Sequence, residues 1–224
     1  METLKGIRAC VFDAYGTLFD YASAAAALRD DLGEQFASLT SLWRDKQLQY
    51  TWLRTCQGLH ADFWQVTGDA LDFTLESLGR ADPVLRERLM NLYLRLETFP
   101  EVVGVLEALQ PRYRLAILSN GTPQMLDAIV THAGIGRFFE AVLSVEDAHA
   151  FKPAAGVYAL AEQRLGISRE QILFCSSNAW DAYAASAFGF RVVWCNRYGQ
   201  KPERLPGAPD CVVQSLADLP PLLA

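Results

Sequence analysis

Apolar residues follow two rhythms along this chain. The first is short and continuous: segments 7–13, 113–118, 141–145, 171–175, 190–195 and 211–213 are brief, largely apolar and partly β-branched. Runs of that kind predict strands covered on both faces. The second rhythm is helical. Thr122-Pro123 opens one helix, a capping residue followed by proline at the first helical position, and Gly134 ends it. Residues 154–165 form another. Strands alternating with helices predict a parallel sheet.

Residues 20–98 differ: they carry helical periodicity and no convincing strand. The stretch 22–32 is alanine-rich, 39–54 reads as a helix, and 61–78 is helical in pieces. Asp82-Pro83 caps a further helix with Leu85, Leu89, Leu92 and Leu96 on related faces. A helical block inserted after the first strand leaves from the C-terminal edge of the sheet and should sit above it. The expectation is an α/β fold: a Rossmann-like parallel-sheet core domain (1–18 and 99–224) with an inserted helical cap domain (19–98). The Pro/Gly-rich piece 198–209 reads as a surface loop.

Composition narrows the function. Of 224 residues, 51% are hydrophobic, and 20 Lys+Arg stand against 26 Asp+Glu, a net charge of −6. That apolar content supports a core and excludes general disorder. The acidic balance speaks against nucleic-acid partners. No apolar stretch reaches the roughly 20 residues of a membrane span. The five cysteines form no CxxC pair, and no apolar run follows the charged start, so free thiols and a cytoplasmic location are expected.

Ligands in open α/β sheets bind beyond the carboxyl ends of the strands. The polar residues expected there are Asp13 with Thr17, Ser119-Asn120, Lys152, and Ser176-Ser177-Asn178 with Asp181. Taken singly, each has an ordinary reading: a capping carboxylate, a turn, a surface lysine. The three histidines, His60, His132 and His149, form no metal-spaced cluster. Arg44, Leu48 and Trp52 fall on one ridge of a helix, and an arginine on an apolar stripe either snorkels or has something to pair with.

The four clusters, in order, resemble the motifs of the haloacid dehalogenase superfamily: Asp13-Ala14-Tyr15-Gly16-Thr17, Leu118-Ser119-Asn120-Gly121, Lys152-Pro153, and Ser176-Ser177-Asn178-Ala179-Trp180-Asp181. Most members are magnesium-dependent phosphatases, with an Asp where this chain has Tyr15 and a Gly-Asp pair where it has Ser176-Ser177. Losing a general acid and a ligand carboxylate together argues against phosphoryl transfer. What remains resembles the L-2-haloacid dehalogenase family, through Trp43-Arg44-Asp45-Lys46-Gln47-Leu48, Tyr50-Thr51-Trp52-Leu53-Arg54 and Asp62-Phe63-Trp64 as well.

That resemblance implies hydrolytic conversion of short-chain L-2-haloalkanoic acids, with haloacetates as a further class, to D-2-hydroxy acids. No metal or other cofactor is implied. Asp13 would be the nucleophile, oriented by Thr17, with Lys152 compensating its charge. Asp181 would hold or activate the hydrolytic water, or pair with Lys152; Asn178 would hold that water or the Asp13 carboxylate, with Ser176 and Tyr158 in support. The resemblance assigns Ser119 to the substrate carboxylate and Arg44 to the halide; Asn120 can donate to halide or carboxylate, Phe63 and Trp180 would complete an apolar halide cradle with it, and Tyr15 and Leu48 are expected to bind substrate or halide. It also implies a homodimer. The alternatives are a superfamily phosphatase and a catalytically silent binding protein on the same fold. One departure is Phe151 before Lys152-Pro153, where the family often has tyrosine; a packing effect is expected.

Overall fold

The computed structural model describes residues 3–21, 26 and 28–223. Six parallel strands form one sheet: β1 (Ala9–Phe12), β2 (Arg114–Ser119), β3 (Ala141–Ser144), β4 (Ile172–Ser176), β5 (Arg191–Cys195) and β6 (Cys211–Val213), in the order β3-β2-β1-β4-β5-β6. β1 is central. Its Val11 and Phe12 align with Ala116 and Ile117 of β2 on one side and with Phe174 and Cys175 of β4 on the other. All of these side chains are fully buried, as expected for a sheet covered on both faces. The α/β class is as the sequence implied.

The helices, in chain order, are α1 (Phe36–Gln57), α2 (Phe63–Ser77), α3 (Pro83–Leu92), α4 (Val102–Leu109), α5 (Pro123–His132), α6 (Ala155–Leu165), α7 (Ala179–Phe188) and α8 (Leu219–Leu222). Several begin where the sequence places a cap. Asp62 accepts from Gln65 N, Asp82 from Val84 N and Leu85 N, and Thr122 from Met125 N. Three helical readings change. Residues 61–78 hold one continuous helix, α2, rather than pieces. α3 ends at Leu92, so Leu96 packs from the returning chain, fully buried. α4 carries no readable period because Val102–Leu109 is almost wholly apolar. The alanine-rich stretch falls largely on residues 22–25 and 27, outside the described residues. Its described end holds one helical turn, Arg29–Leu32.

The helical block meets the sheet at the carboxyl ends of the strands. The chain enters and leaves it side by side. Asp20 N donates to Glu97 O at 2.9 Å, Phe99 N donates to Leu18 O at 3.1 Å, and Phe19 bridges Thr98. Arg197, after β5, reaches across this crossing: its guanidinium donates to Thr17 O at 2.9 Å and to Glu101 at 2.5 Å. Phe151 N donates to Thr55 Oγ1 of α1 at 3.0 Å, and His60 pairs with Glu146 at 2.8 Å. These contacts hold the helices over the strand ends. Among the described residues, no helix is long and apolar enough to cross a membrane.

Candidate active site

Asp13 follows β1 directly and is 5% exposed. The chain turns sharply after it. Gly16 takes φ 87°, a conformation open to glycine, and its N–H reaches Phe19 O at 2.7 Å. That turn brings the Thr17 hydroxyl back onto Asp13 Oδ2 at 3.0 Å. The same hydroxyl oxygen accepts from Ser177 N at 2.8 Å, so its single proton is committed to Asp13.

Asn178, at the N-terminal end of α7, gives both amide protons to this loop: Nδ2 donates to Asp13 Oδ2 at 2.8 Å and to Tyr15 O at 3.1 Å. The Ser176 hydroxyl approaches the same Oδ2 at 3.4 Å. Among the described residues, Asp13 Oδ2 thus has two committed donors, Thr17 and Asn178, while the single Ser176 proton is shared between it and Asn178 O, also 3.4 Å away. Oδ1 takes one, the Lys152 ammonium at 3.1 Å. The two oxygens of one carboxylate stand in unequal environments.

Lys152 is 1% exposed and bridges two carboxylates, reaching Asp181 Oδ2 at 2.9 Å as well. Burial alone would lower its pKa, but attraction to Asp13 and Asp181 outweighs this and holds it above the ordinary lysine value. Asp181, fully buried, has its pKa raised by burial, opposed by Lys152. Its other oxygen accepts from Tyr158 Oη at 2.7 Å. Burial pushes the Tyr158 hydroxyl well above the usual range, so it stays a donor.

Arg44 comes from α1. Its guanidinium donates to Asn178 Oδ1 at 3.2 Å and to Gln47 Oε1 at 2.8 Å, and lies 4.8 Å from the Tyr21 ring. Asn120 Oδ1 accepts from Lys152 N at 3.0 Å, which leaves its NH₂ to donate. Ser119 Oγ accepts from Gly121 N at 3.1 Å and keeps its own proton available. Tyr15 is buried with its ring 5.7 Å from Phe63 and 5.4 Å from Tyr93; its buried hydroxyl has no hydrogen-bond partner among the described residues.

Two residues lie further out. Trp180 is half-buried and meets Trp52 edge-on at 5.5 Å, in an apolar groove of about 660 Å³ that Pro153 and Tyr158 also line. Leu48 lies half-buried on the outward part of the α1 ridge, lining a second groove with Trp52 and Leu53. Sequence reasoning singled out neither Gln47 nor Tyr93. Gln47 stands three residues after Arg44 on the same helix, a spacing that could have flagged it. Tyr93 comes from the end of another helix, and no local pattern points to it.

The donor set does not suit magnesium. Position 15 is a tyrosine, positions 176 and 177 are serines, and an ammonium already stands between Asp13 and Asp181.

A carboxylate held by hydroxyls, an amide and a buried lysine at the end of a central parallel strand, under a helical cover, defines a hydrolase of the haloacid dehalogenase type. The profile of haloacid dehalogenase-like hydrolases matches residues 7–189. The chain is 46% identical over 218 residues to the (S)-2-haloacid dehalogenase of Pseudomonas sp. (strain YL), covering 96% of this chain and 93% of that protein. It is 42% identical to haloacetate dehalogenase H-2 of Moraxella sp. (strain B), covering 99% of this chain and 100% of the other. The solved L-2-haloacid dehalogenase from Xanthobacter autotrophicus, with chloropropionic acid covalently bound, matches with a TM-score of 0.91 at 40% identity, covering 96% of this chain and 98% of that one. The chain belongs to the (S)-2-haloacid dehalogenase family.

Proposed function

We propose that this protein hydrolyses short-chain L-2-haloalkanoic acids, and haloacetates, to 2-hydroxy acids through an ester on Asp13. The observation that carries the mechanism is the asymmetry of the Asp13 carboxylate. Oδ1, with one donor, keeps lone pairs free and attacks the α-carbon opposite the halogen. The carbon–halogen bond breaks, and the halide leaves with its electron pair toward Arg44 and the NH₂ of Asn120. Tyr15 and Phe63 supply the apolar wall, with Leu48 and Trp180 at its outer side. Ser119 receives the substrate carboxylate.

Oδ2 is then the carbonyl oxygen of the ester. Water adds to that carbonyl carbon, and negative charge develops on Oδ2 where Thr17 and Asn178 already donate and the Ser176 hydroxyl lies 3.4 Å away, the arrangement of an oxyanion hole. Collapse expels the Oδ1–carbon fragment as the 2-hydroxy acid, and the proton lost by water ends on the product hydroxyl. Asp181 aims Lys152 and is the carboxylate assigned to receive the water's proton; Tyr158 steadies Asp181. The α-carbon is inverted once, so an L substrate gives a D product.

Halide release from L- and D-2-chloropropionate and from haloacetates, with and without EDTA, tests this reading. Release from the L isomer and from haloacetates, unaffected by EDTA, is expected. No halide from any of them would overturn it, and magnesium-dependent phosphate release from p-nitrophenyl phosphate would favour a phosphatase. A single turnover in ¹⁸O-water should place the label in Asp13 and leave the product unlabelled.

Three further readings belong to the same proposal. The core comprises 1–18 and 99–224 and the cap 19–98, supported by the paired crossings at Asp20–Glu97 and Leu18–Phe99. The chain forms a homodimer, supported by the exposed Trp52, Leu53, Leu59 and Phe73 on or next to α1 and α2; sedimentation equilibrium tests it. The protein works in the cytoplasm, consistent with cysteines that form no disulfide among the described residues; cell fractionation tests it.

A further inference from the structure

Arg44 is held from behind by a directed hydrogen-bond relay. Thr67 Oγ1, on α2, donates its only proton to Phe63 O at 2.6 Å. It must therefore accept from its other neighbour, Gln47 Nε2, at 2.8 Å. That fixes which way the Gln47 amide faces: its NH₂ points at Thr67 and its carbonyl oxygen at Arg44 Nη1, 2.8 Å away. Tyr93 Oη lies 3.2 Å from Gln47 Nε2 and 3.3 Å from Oε1, closing the amide on its remaining side. Gln47 is 1% exposed, and the cavity enclosed by Arg44, Gln47, Tyr93, Thr40, Trp43 and Tyr21 is about 10 Å³, no more than a water molecule. The amide is closed off from solvent, and its direction is set by these hydrogen bonds.

We propose that Gln47 is a positioning residue for Arg44, with its orientation set by Thr67 and Tyr93. The inference rests on the dehalogenase reading of Arg44. A buried polar amide on a helix facing two others contributes nothing that leucine would not, unless its direction matters. Here its direction is used: the carbonyl takes one arm of the guanidinium, Asn178 takes the other, and the remaining N–H groups are left facing the departing halide. An Arg44 free to swing would still carry its charge. It would lose the aim that stabilises halide only as charge develops, a loss that appears in kcat rather than KM.

The test uses Gln47→Leu, Thr67→Val and Thr67→Ser in the full chain, with L-2-chloropropionate and L-2-bromopropionate. Gln47→Leu should lower kcat for the chloro substrate by about tenfold or more with little change in KM, and should lower it less for the bromo substrate, because bromide is the better leaving group. Thr67→Val, which frees the amide to reverse, should repeat that chloro-over-bromo pattern in weaker form. Thr67→Ser keeps the hydroxyl and should restore the parent kinetics. A Gln47→Leu protein that turns both substrates over within about twofold of the parent overturns the proposal. So does one that loses both equally, which is the mark of a merely structural role. If Gln47→Leu does not fold, the two Thr67 variants decide alone, and equal behaviour of Val and Ser overturns it. An inactive parent enzyme would instead refute the dehalogenase reading.

Discussion

Arg44 and Asn178, 134 positions apart in sequence, meet at 3.2 Å across the junction of helical block and sheet. The contact does more than join them. Asn178 accepts from Arg44 through Oδ1 and donates to Asp13 through Nδ2, so one amide links the proposed leaving-group cation to the proposed nucleophile. Its orientation is determined from both sides. The guanidinium and the carboxylate are thereby held at a fixed separation.

Arg44→Lys tests the need for that link. Lysine keeps the charge but cannot reach Gln47 and Asn178 together with a planar fork. The expected outcome is a fall in kcat of about 10²-fold, with protein stability within about 1 kcal/mol of the parent. Steady-state halide release and thermal melting measure the two quantities. Unchanged kcat would show that charge alone suffices.

The Lys152 bridge predicts a stability pattern that single substitutions hide. Lys152→Met leaves Asp13 and Asp181 facing each other without their cation, and should cost about 3–5 kcal/mol. Adding Asp181→Asn removes one buried charge and should recover part of that stability while activity stays lost. Urea unfolding of the parent, the single and the double variant provides the comparison. A double variant less stable than Lys152→Met would contradict the bridge.

Proton linkage gives the pH dependence of the same group. Although burial opposes it, the two carboxylates hold the Lys152 pKa above the ordinary 10.5 in the folded state. A cation whose folded pKa exceeds its unfolded value contributes stability fully below the unfolded value, and loses it as pH rises through the folded one. Neither stability nor kcat/KM should therefore lose a Lys152 contribution below pH 10.5. Melting and halide-release profiles across the alkaline range check this. A melting loss below that pH, seen in the parent and absent from Lys152→Met/Asp181→Asn, would refute it.

How much of this was legible in the sequence depends on the range of the interaction. The strands were readable because both faces of the sheet are covered, so runs such as Ala9–Phe12 are apolar without interruption. The α5 start was readable because Thr122 and Pro123 act locally. α4 escaped for the opposite reason, since an apolar octet carries no period. The residues around Asp13 were found through their motif order, and the structure brings Thr17, Lys152, Ser176 and Asn178 to its carboxylate. Their division between the two oxygens was not legible, because it depends on angles between three separate segments. The backing of Arg44 by Tyr93 and Thr67 was hidden likewise, as three helical segments converge there and no one of them carries the signal.

Gly121 gives a prediction that concerns room rather than charge. A Cβ added there would lie 2.8 Å from Tyr15 Oη and 3.1 Å from Leu126 Cδ2. Tyr15 cannot simply withdraw, because its ring already packs on Phe63 and Tyr93. Gly121→Ala should therefore push the Tyr15 ring into the space beside Asp13, and overpacking of this kind costs about 1–3 kcal/mol. The narrowed space should discriminate by substrate size: kcat/KM for 2-chlorobutyrate should fall about tenfold more than for chloroacetate. Adding Tyr15→Phe removes the nearer colliding atom and leaves the ring's Cε2 at 3.1 Å, so it should restore part of the lost activity toward the larger acid, relative to Tyr15→Phe alone. If Gly121→Ala lowers both substrates equally, the tyrosine is not being displaced into the substrate's space, and the assignment of Tyr15 to the apolar wall of the site fails.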